Sequence, residues 1–110
     1  MQNKKVKARQ LNSYTNGWKA DFMKYLLIEV IERDINTPEI FETHDDAHDR
    51  MCEYVAEVLD VSKEDIKESY FEGEDFNENT CVIENDAWTE RRGNNFDWKI
   101  FTINDAGQIV

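Results

Sequence analysis

The segment 43–59 constrains the fold more than any other. Thr43 is a good helix N-cap, and Asp45 and Asp46 follow in the first turn, where carboxylates favour the helix dipole. At about 100° per residue, Ala47, Met51, Tyr54, Val55, Val58 and Leu59 form one apolar arc. Asp45, Asp46, Asp49, Glu53, Glu57 and Asp60 fill the opposite side, joined only by Arg50. The pattern predicts one amphipathic helix over 44–59. Such a helix has to bury its stripe against another layer.

That layer is written on either side of it. The stretch 18–33 is ambiguous, because Trp18, Phe22, Met23, Leu26, Leu27, Val30 and Ile31 fall at helical spacing. Yet Leu26, Ile28 and Val30 alternate with Leu27, Glu29 and Ile31, and β-branched residues gather at its end. It reads as a short helix near 17–23 followed by a strand over 24–33. Asn36, Thr37 and Pro38 turn the chain, and 39–42 reads as a short return strand. After the main helix, Ser62 opens another helical turn with Glu64 and Asp65 near its start. An acidic connector over 68–79 follows. Thr80 begins a strand over 80–84. Trp98 and Ile100 alternate with Lys99 and Phe101 in a strand over 97–103, and Gly93, Asn94 and Asn95 supply the turn of a hairpin joining 80–90 to 96–103. Residues 104–110 read as a frayed end. The expected fold is α+β: an antiparallel sheet of about four strands with one main amphipathic helix packed on it.

Charge divides the chain unevenly. Lys4, Lys5, Lys7, Arg9 and Lys19 precede the first carboxylate, Asp21. From there, twenty-four acids face eight bases, a net charge of −16 within a total of −11. Residues 1–17 read as a basic, polar tail, and 18–110 as a single acidic domain. The aromatic content of 12% separates this domain from disordered acidic tails, which lack such side chains. No apolar run approaches the roughly 18 residues of a membrane span; 25–28 is cut short by Glu29. The basic, polar start has no apolar stretch behind it, so no signal peptide is expected. With Cys52 and Cys81 far apart, reduced thiols and a cytoplasmic location are the simpler reading.

The charge also selects partners. An acidic surface repels DNA, RNA and anionic lipid and attracts proteins that bind those polyanions. No direct DNA binding by the acidic domain and no membrane partner are therefore expected. Between positions 29 and 78 lie eighteen acids and four bases. Asp45, Asp49, Glu53, Glu57 and Asp60 form one candidate row, and Glu72, Glu74 and Asp75 a second. Helix neighbours in the first row sit about 5–6 Å apart at Cβ, comparable to phosphates along a strand. Solubility alone would also explain an acidic outer face.

Other constellations are weaker. His44, His48 and Cys52 repeat at one helical turn and, with Cys81, offer two nitrogens and two sulfurs to a metal. The spacing matches no common zinc module, and the alternative puts both histidines at the edge of the buried arc. Asp75, Asn77, Asn79 and Asp86 partly imitate a calcium loop, but Thr80 stands where glycine is needed. Trp88, Arg91, Arg92 and Trp98 could stack on bases or brace the hairpin. No nucleophile triad or glycine-rich phosphate loop is visible, so no catalytic residue and no cofactor are assigned.

The stretch 23–33 and the run Asp86-Ala87-Trp88 … Asn95-Phe96-Asp97-Trp98-Lys99-Ile100 resemble small uncharacterised proteins of bacterial phages and mobile elements, over most of 23–103. At class level the chain is similar to acidic phage-encoded antirestriction and anti-CRISPR proteins. Many of those imitate DNA and occupy a defence enzyme's nucleic-acid channel. The basic start departs from a pure DNA mimic. The resemblance implies a non-enzymatic inhibitor of a basic host nuclease or defence complex. The rival expectation is a regulatory or assembly module, including a homo-oligomer, anchored by exposed aromatics such as Trp18, Phe71 or Trp88. A third is a small metal-dependent protein using His44, His48 and Cys52.

Overall fold

The computed structural model describes residues 23–110. The expected tail over 1–17 and the helix near 17–23 lie outside these residues, apart from Met23, which is not helical. Six strands and two helices follow: β1 (Lys24–Ile31), β2 (Asp34–Ile35), β3 (Glu39–Phe41), α1 (His44–Leu59), α2 (Lys63–Phe71), β4 (Thr80–Val82), β5 (Asp86–Arg91) and β6 (Asn94–Ile103). The fold is α+β, as expected, with a main helix on an antiparallel sheet. The sheet has six strands where about four were anticipated, because β2 is only two residues long and the stretch 80–90, expected as one arm of the hairpin, divides into β4 and β5.

The strand order is β2-β1-β6-β5-β4, with β3 also on β1. β1 is therefore a central strand, paired to β6 from Lys24↔Ile103 to Ile31↔Phe96 and to β2 and β3 on its other side. Over Lys24–Ile31 this resolves the ambiguity in favour of a strand. A two-sided strand can be apolar on both faces, which imitates helical spacing.

Both hairpins that enter and leave β1 and β6 use tight turns with positive φ. Arg92 and Gly93 (φ 56° and 82°) join β5 to β6. Glu32 and Arg33 (φ 50° and 79°) join β1 to β2 without a glycine. Two successive left-handed residues match the twist of a two-residue hairpin. The two turns are tied together, since Glu32 N–H donates to Asn95 C=O at 3.0 Å and Asn95 N–H donates to the Glu32 carboxylate.

α1 begins at Thr43, whose hydroxyl accepts from Asp46 N–H at 3.0 Å, and ends at a left-handed Asp60. Its last turn has no basic residue of its own. Arg91 supplies one from β5, donating to the Val58 carbonyl. α2 is longer than the single turn expected at Ser62 and takes in 68–71, assigned above to the connector. Residues 104–110 are not frayed: Val110 N–H donates to Thr102 C=O at 2.9 Å, and Ile109 bridges Ile103.

The core lies between α1, α2 and one face of the sheet. Ala47, Met51, Cys52 and Val55 of α1, with Ile66 of α2, pack on Leu27, Ala87, Trp98 and Ile100. Alternate residues of the same strands must point away from the helices. Glu29, which interrupts the apolar run of β1, accepts from the Trp98 indole at 2.8 Å and from the Asn36 amide. A buried indole N–H needs such an acceptor. Among the described residues, no helix is long and apolar enough to cross a membrane.

Candidate protein-interaction surfaces

The helix row is partly neutralised within the chain. Asp49 accepts from Lys67 at 2.6 Å and from Lys63 at 2.9 Å, because α2 lies along that side of α1. These hydrogen bonds, Lys67 first, hold the Asp49 carboxyl below the usual carboxylate range. Glu53 pairs with Arg50, which also donates to Glu39 at 3.3 Å and lies over the Tyr54 ring at 4.1 Å. Tyr54 donates its hydroxyl to Glu39, so this cluster fastens β3 to α1. Of the row, Asp45, Glu57 and Asp60 are exposed and, among the described residues, meet no lysine or arginine.

The second row keeps its charge. Glu72, Glu74 and Asp75 are exposed in the connector after α2, with Glu68 on the last turns of α2 before them and Glu78 after them. Among the described residues, none of the five forms an ion pair. Among the described residues, the carboxylates that face solvent without an ion pair are therefore on α2 and its connector more than on α1. The lysines that neutralise Asp49 lie fourteen and eighteen residues away, a distance that sequence spacing does not reveal.

The histidines brace the sheet. His44 Nε2 lies 2.8 Å from Asn85 Oδ1 and 3.0 Å from the Glu84 carbonyl, and His48 Nε2 lies 3.0 Å from the Ile83 carbonyl. With a proton on Nε2, each ring donates to the β4–β5 connection. That tautomer leaves His48 Nδ1 to accept, 3.6 Å from the Cys52 sulfur. His48 also packs against Tyr70 of α2 at 4.3 Å between ring centres. Burial lowers the His48 pKa, against the opposing pull of the Ile83 carbonyl. Burial pushes the Cys52 thiol up to about 11, so it stays protonated at neutral pH. Cys81 sits on the other face of the sheet, paired across strands with Trp88. The four side chains that offered a metal site, the weaker reading, are thus not gathered, and no group of three ligand side chains is found among the described residues.

The calcium-like residues are likewise dispersed. Asn77 Oδ1 closes a local turn on Asn79 N–H at 2.8 Å, and Asp86 is on β5, paired with Lys99 at 3.2 Å. Trp98 and Trp88 lie on opposite faces, the first buried and the second 44% exposed. Arg91 caps α1. The Trp98 indole bonds Glu29 of β1, so these residues do not form one stacking platform.

The sheet face away from the helices carries an apolar patch that was not foreseen as a unit. The pairs Leu26↔Phe101, Leu26↔Ile40 and Val30↔Ile35 place these residues on it, and Trp88, opposite Asp97, joins them. The alternation of Trp98 and Ile100 with Lys99 and Phe101 was the available signal. Only the register shows which strands share the face. Phe71, at the end of α2, is a separate exposed aromatic at 74%.

No family model, curated protein or solved structure matches this chain.

Proposed function

We propose that this protein is a non-enzymatic inhibitor that occupies the nucleic-acid site of a basic host protein, of the antirestriction or anti-CRISPR kind, by presenting carboxylates in place of phosphates. The supporting observation is the run Glu68, Glu72, Glu74, Asp75 and Glu78, exposed and without an ion-pair partner among the described residues. Uncompensated like charges cost stability and raise the local potential that steers a cationic partner. Asp45, Glu57 and Asp60 extend the charged surface, while Asp49 and Glu53 serve mainly to hold α1 to α2 and β3. The target is then a protein of the cytoplasm, where nucleases and defence complexes meet nucleic acid.

The test uses charge reversal where it does not disturb packing. Asp49→Lys would set three cations together at the α1–α2 contact and is not a clean probe. Glu72→Lys, Glu74→Lys and Asp75→Lys together leave every ion pair named above intact. Immobilised protein is exposed to host lysate at low salt, and the salt eluate is identified by mass spectrometry. Nucleic-acid-binding proteins should elute from the wild type and be lost from the triple variant, and duplex DNA should compete for them. An unchanged eluate from the variant overturns the proposal.

One observation favours a second reading, a module with an apolar interface. Trp88 and Phe71, named as anchors of that reading, are both exposed. Binding of this kind survives high salt, which the same elution series separates.

A further inference from the structure

The sheet face opposite α1 carries a groove of about 400 Å³ lined by Ile28, Val30, Trp88 and Phe101. Asp97 and Lys99 of β6 also line it, lying between the β1 residues and Trp88 and Asp86 of β5. Ile35 and Ile40 continue the apolar surface beside it, 69% and 58% exposed. Clustered large apolar side chains on one face mark an interaction site more often than scattered ones do.

The charges around the groove choose the occupant. Lys99 is held by Asp86 at 3.2 Å. Asp97 stands across the strands from both Trp88 and Val30 and has no ion-pair partner among the described residues. An exposed indole beside an unpaired carboxylate suits a cation, which the indole face attracts and the carboxylate hydrogen-bonds. Residues 23–110 hold twenty-three acids and eight bases, a net charge of −15. The full chain is also negative, at −11, which opposes a second copy on this face and favours a positive partner.

We propose that this face docks a cationic amphipathic segment of a partner protein. Its aliphatic side chains lie over Ile28 and Val30, and an arginine or lysine stacks on Trp88 and pairs with Asp97. The inference develops the apolar-interface reading and does not depend on the carboxylates after α2, which belong to a different surface.

Two synthetic peptides of equal length and charge test it on the full chain. One is an amphipathic helix of leucine and arginine, the other a serine and arginine sequence with no apolar side. The first should bind about tenfold more tightly or better, a preference of roughly 1.4 kcal/mol, and keep that preference at high salt. Trp88→Ala and Ile28→Asp should each abolish the preference. The Glu72, Glu74 and Asp75 charge-reversal variant should retain it, which separates this proposal from the phosphate-mimic reading. Should a face variant fail to fold, NMR of the wild type decides: the Trp88 indole and the Ile28 and Val30 methyl signals should shift on adding the first peptide. Equal affinity for the two peptides, or shifts confined to α2, overturns the proposal. So does a dimeric mass by light scattering before peptide is added, or an indole signal of Trp88 already protected in the free protein.

Discussion

His48 is buried at the joint of α1, α2 and the β4–β5 connection, with one ring nitrogen on the Ile83 carbonyl and the other facing Cys52. Its environment disfavours a second proton. Burial is the largest cause, His44 and Lys67 add to it, and the Ile83 carbonyl and Asp45 oppose it. The unfolded chain has an ordinary imidazole, with a pKa of about 6.5. As pH falls through that value, the unfolded state takes up the proton first. Stability from this group is therefore complete above the ordinary value and is lost as pH falls toward the lower folded one. The urea midpoint should drop between about pH 7.5 and pH 5, bracketing that ordinary value. His48→Gln, which can still donate to Ile83, should flatten the drop. A wild-type slope equal to that of the variant would show that another group carries it. The sequence placed His44 and His48 at the edge of the buried arc as one of two readings. Their acceptors lie thirty-five to forty-one residues away, so no local pattern could choose.

Elements written in local chemistry were the legible ones. The expected and observed bounds of α1 coincide because Thr43, the early acids and the apolar arc all act within the helix itself. β1 was ambiguous because its two apolar faces mimic helical spacing, and only pairing with β6, β2 and β3 decides it. Turns show the same division. The turn after β5 was legible through Gly93, although it falls at Arg92-Gly93 and the expected Asn94 and Asn95 already belong to β6; Glu32-Arg33 was not, since neither residue favours positive φ. Arg33 carries a left-handed penalty of about 1 kcal/mol. Arg33→Gly removes it, while the greater freedom of glycine in the unfolded chain returns part of the gain. A net stabilisation of roughly 0.5 kcal/mol is expected from the urea midpoint. Gly93→Ala should cost about 1 kcal/mol, although its added methyl meets nothing within 4 Å, because the strain is in the backbone at φ 82°. A destabilised Arg33→Gly would mean that the arginine side chain contributes more than its backbone strain costs.

The whole molecule sets its internal ion pairs against its surplus charge. Asp49 with Lys63 and Lys67, Arg50 with Glu39 and Glu53, Lys24 with Glu42 and Lys99 with Asp86 use five of the eight bases in 23–110. These pairs are at least partly exposed, and such pairs contribute about 0–1 kcal/mol each. The repulsion among the remaining carboxylates acts over a longer range, so it should dominate. Salt shortens that range from about 10 Å at 0.1 M to about 3 Å at 1 M. The thermal midpoint should accordingly rise by several degrees with sodium chloride. A flat or falling midpoint would show that the local pairs outweigh the repulsion and that the surface is balanced more evenly than its composition implies.

What the amino-acid order determined alone is what depends on near neighbours: one capped amphipathic helix, strands by alternation, an α+β class and a strong negative field. Tertiary structure decided which charges survive and which apolar side chains stay outside. α2 folds back to give Asp49 two lysines, while among the described residues Glu72, Glu74 and Asp75 receive none. β1 and β6, at opposite ends of the described chain, become neighbours and bring Ile28 and Val30 beside Phe101 and Trp88. Charge compensation and surface patches are properties of distance in space, and separation along the chain does not specify it.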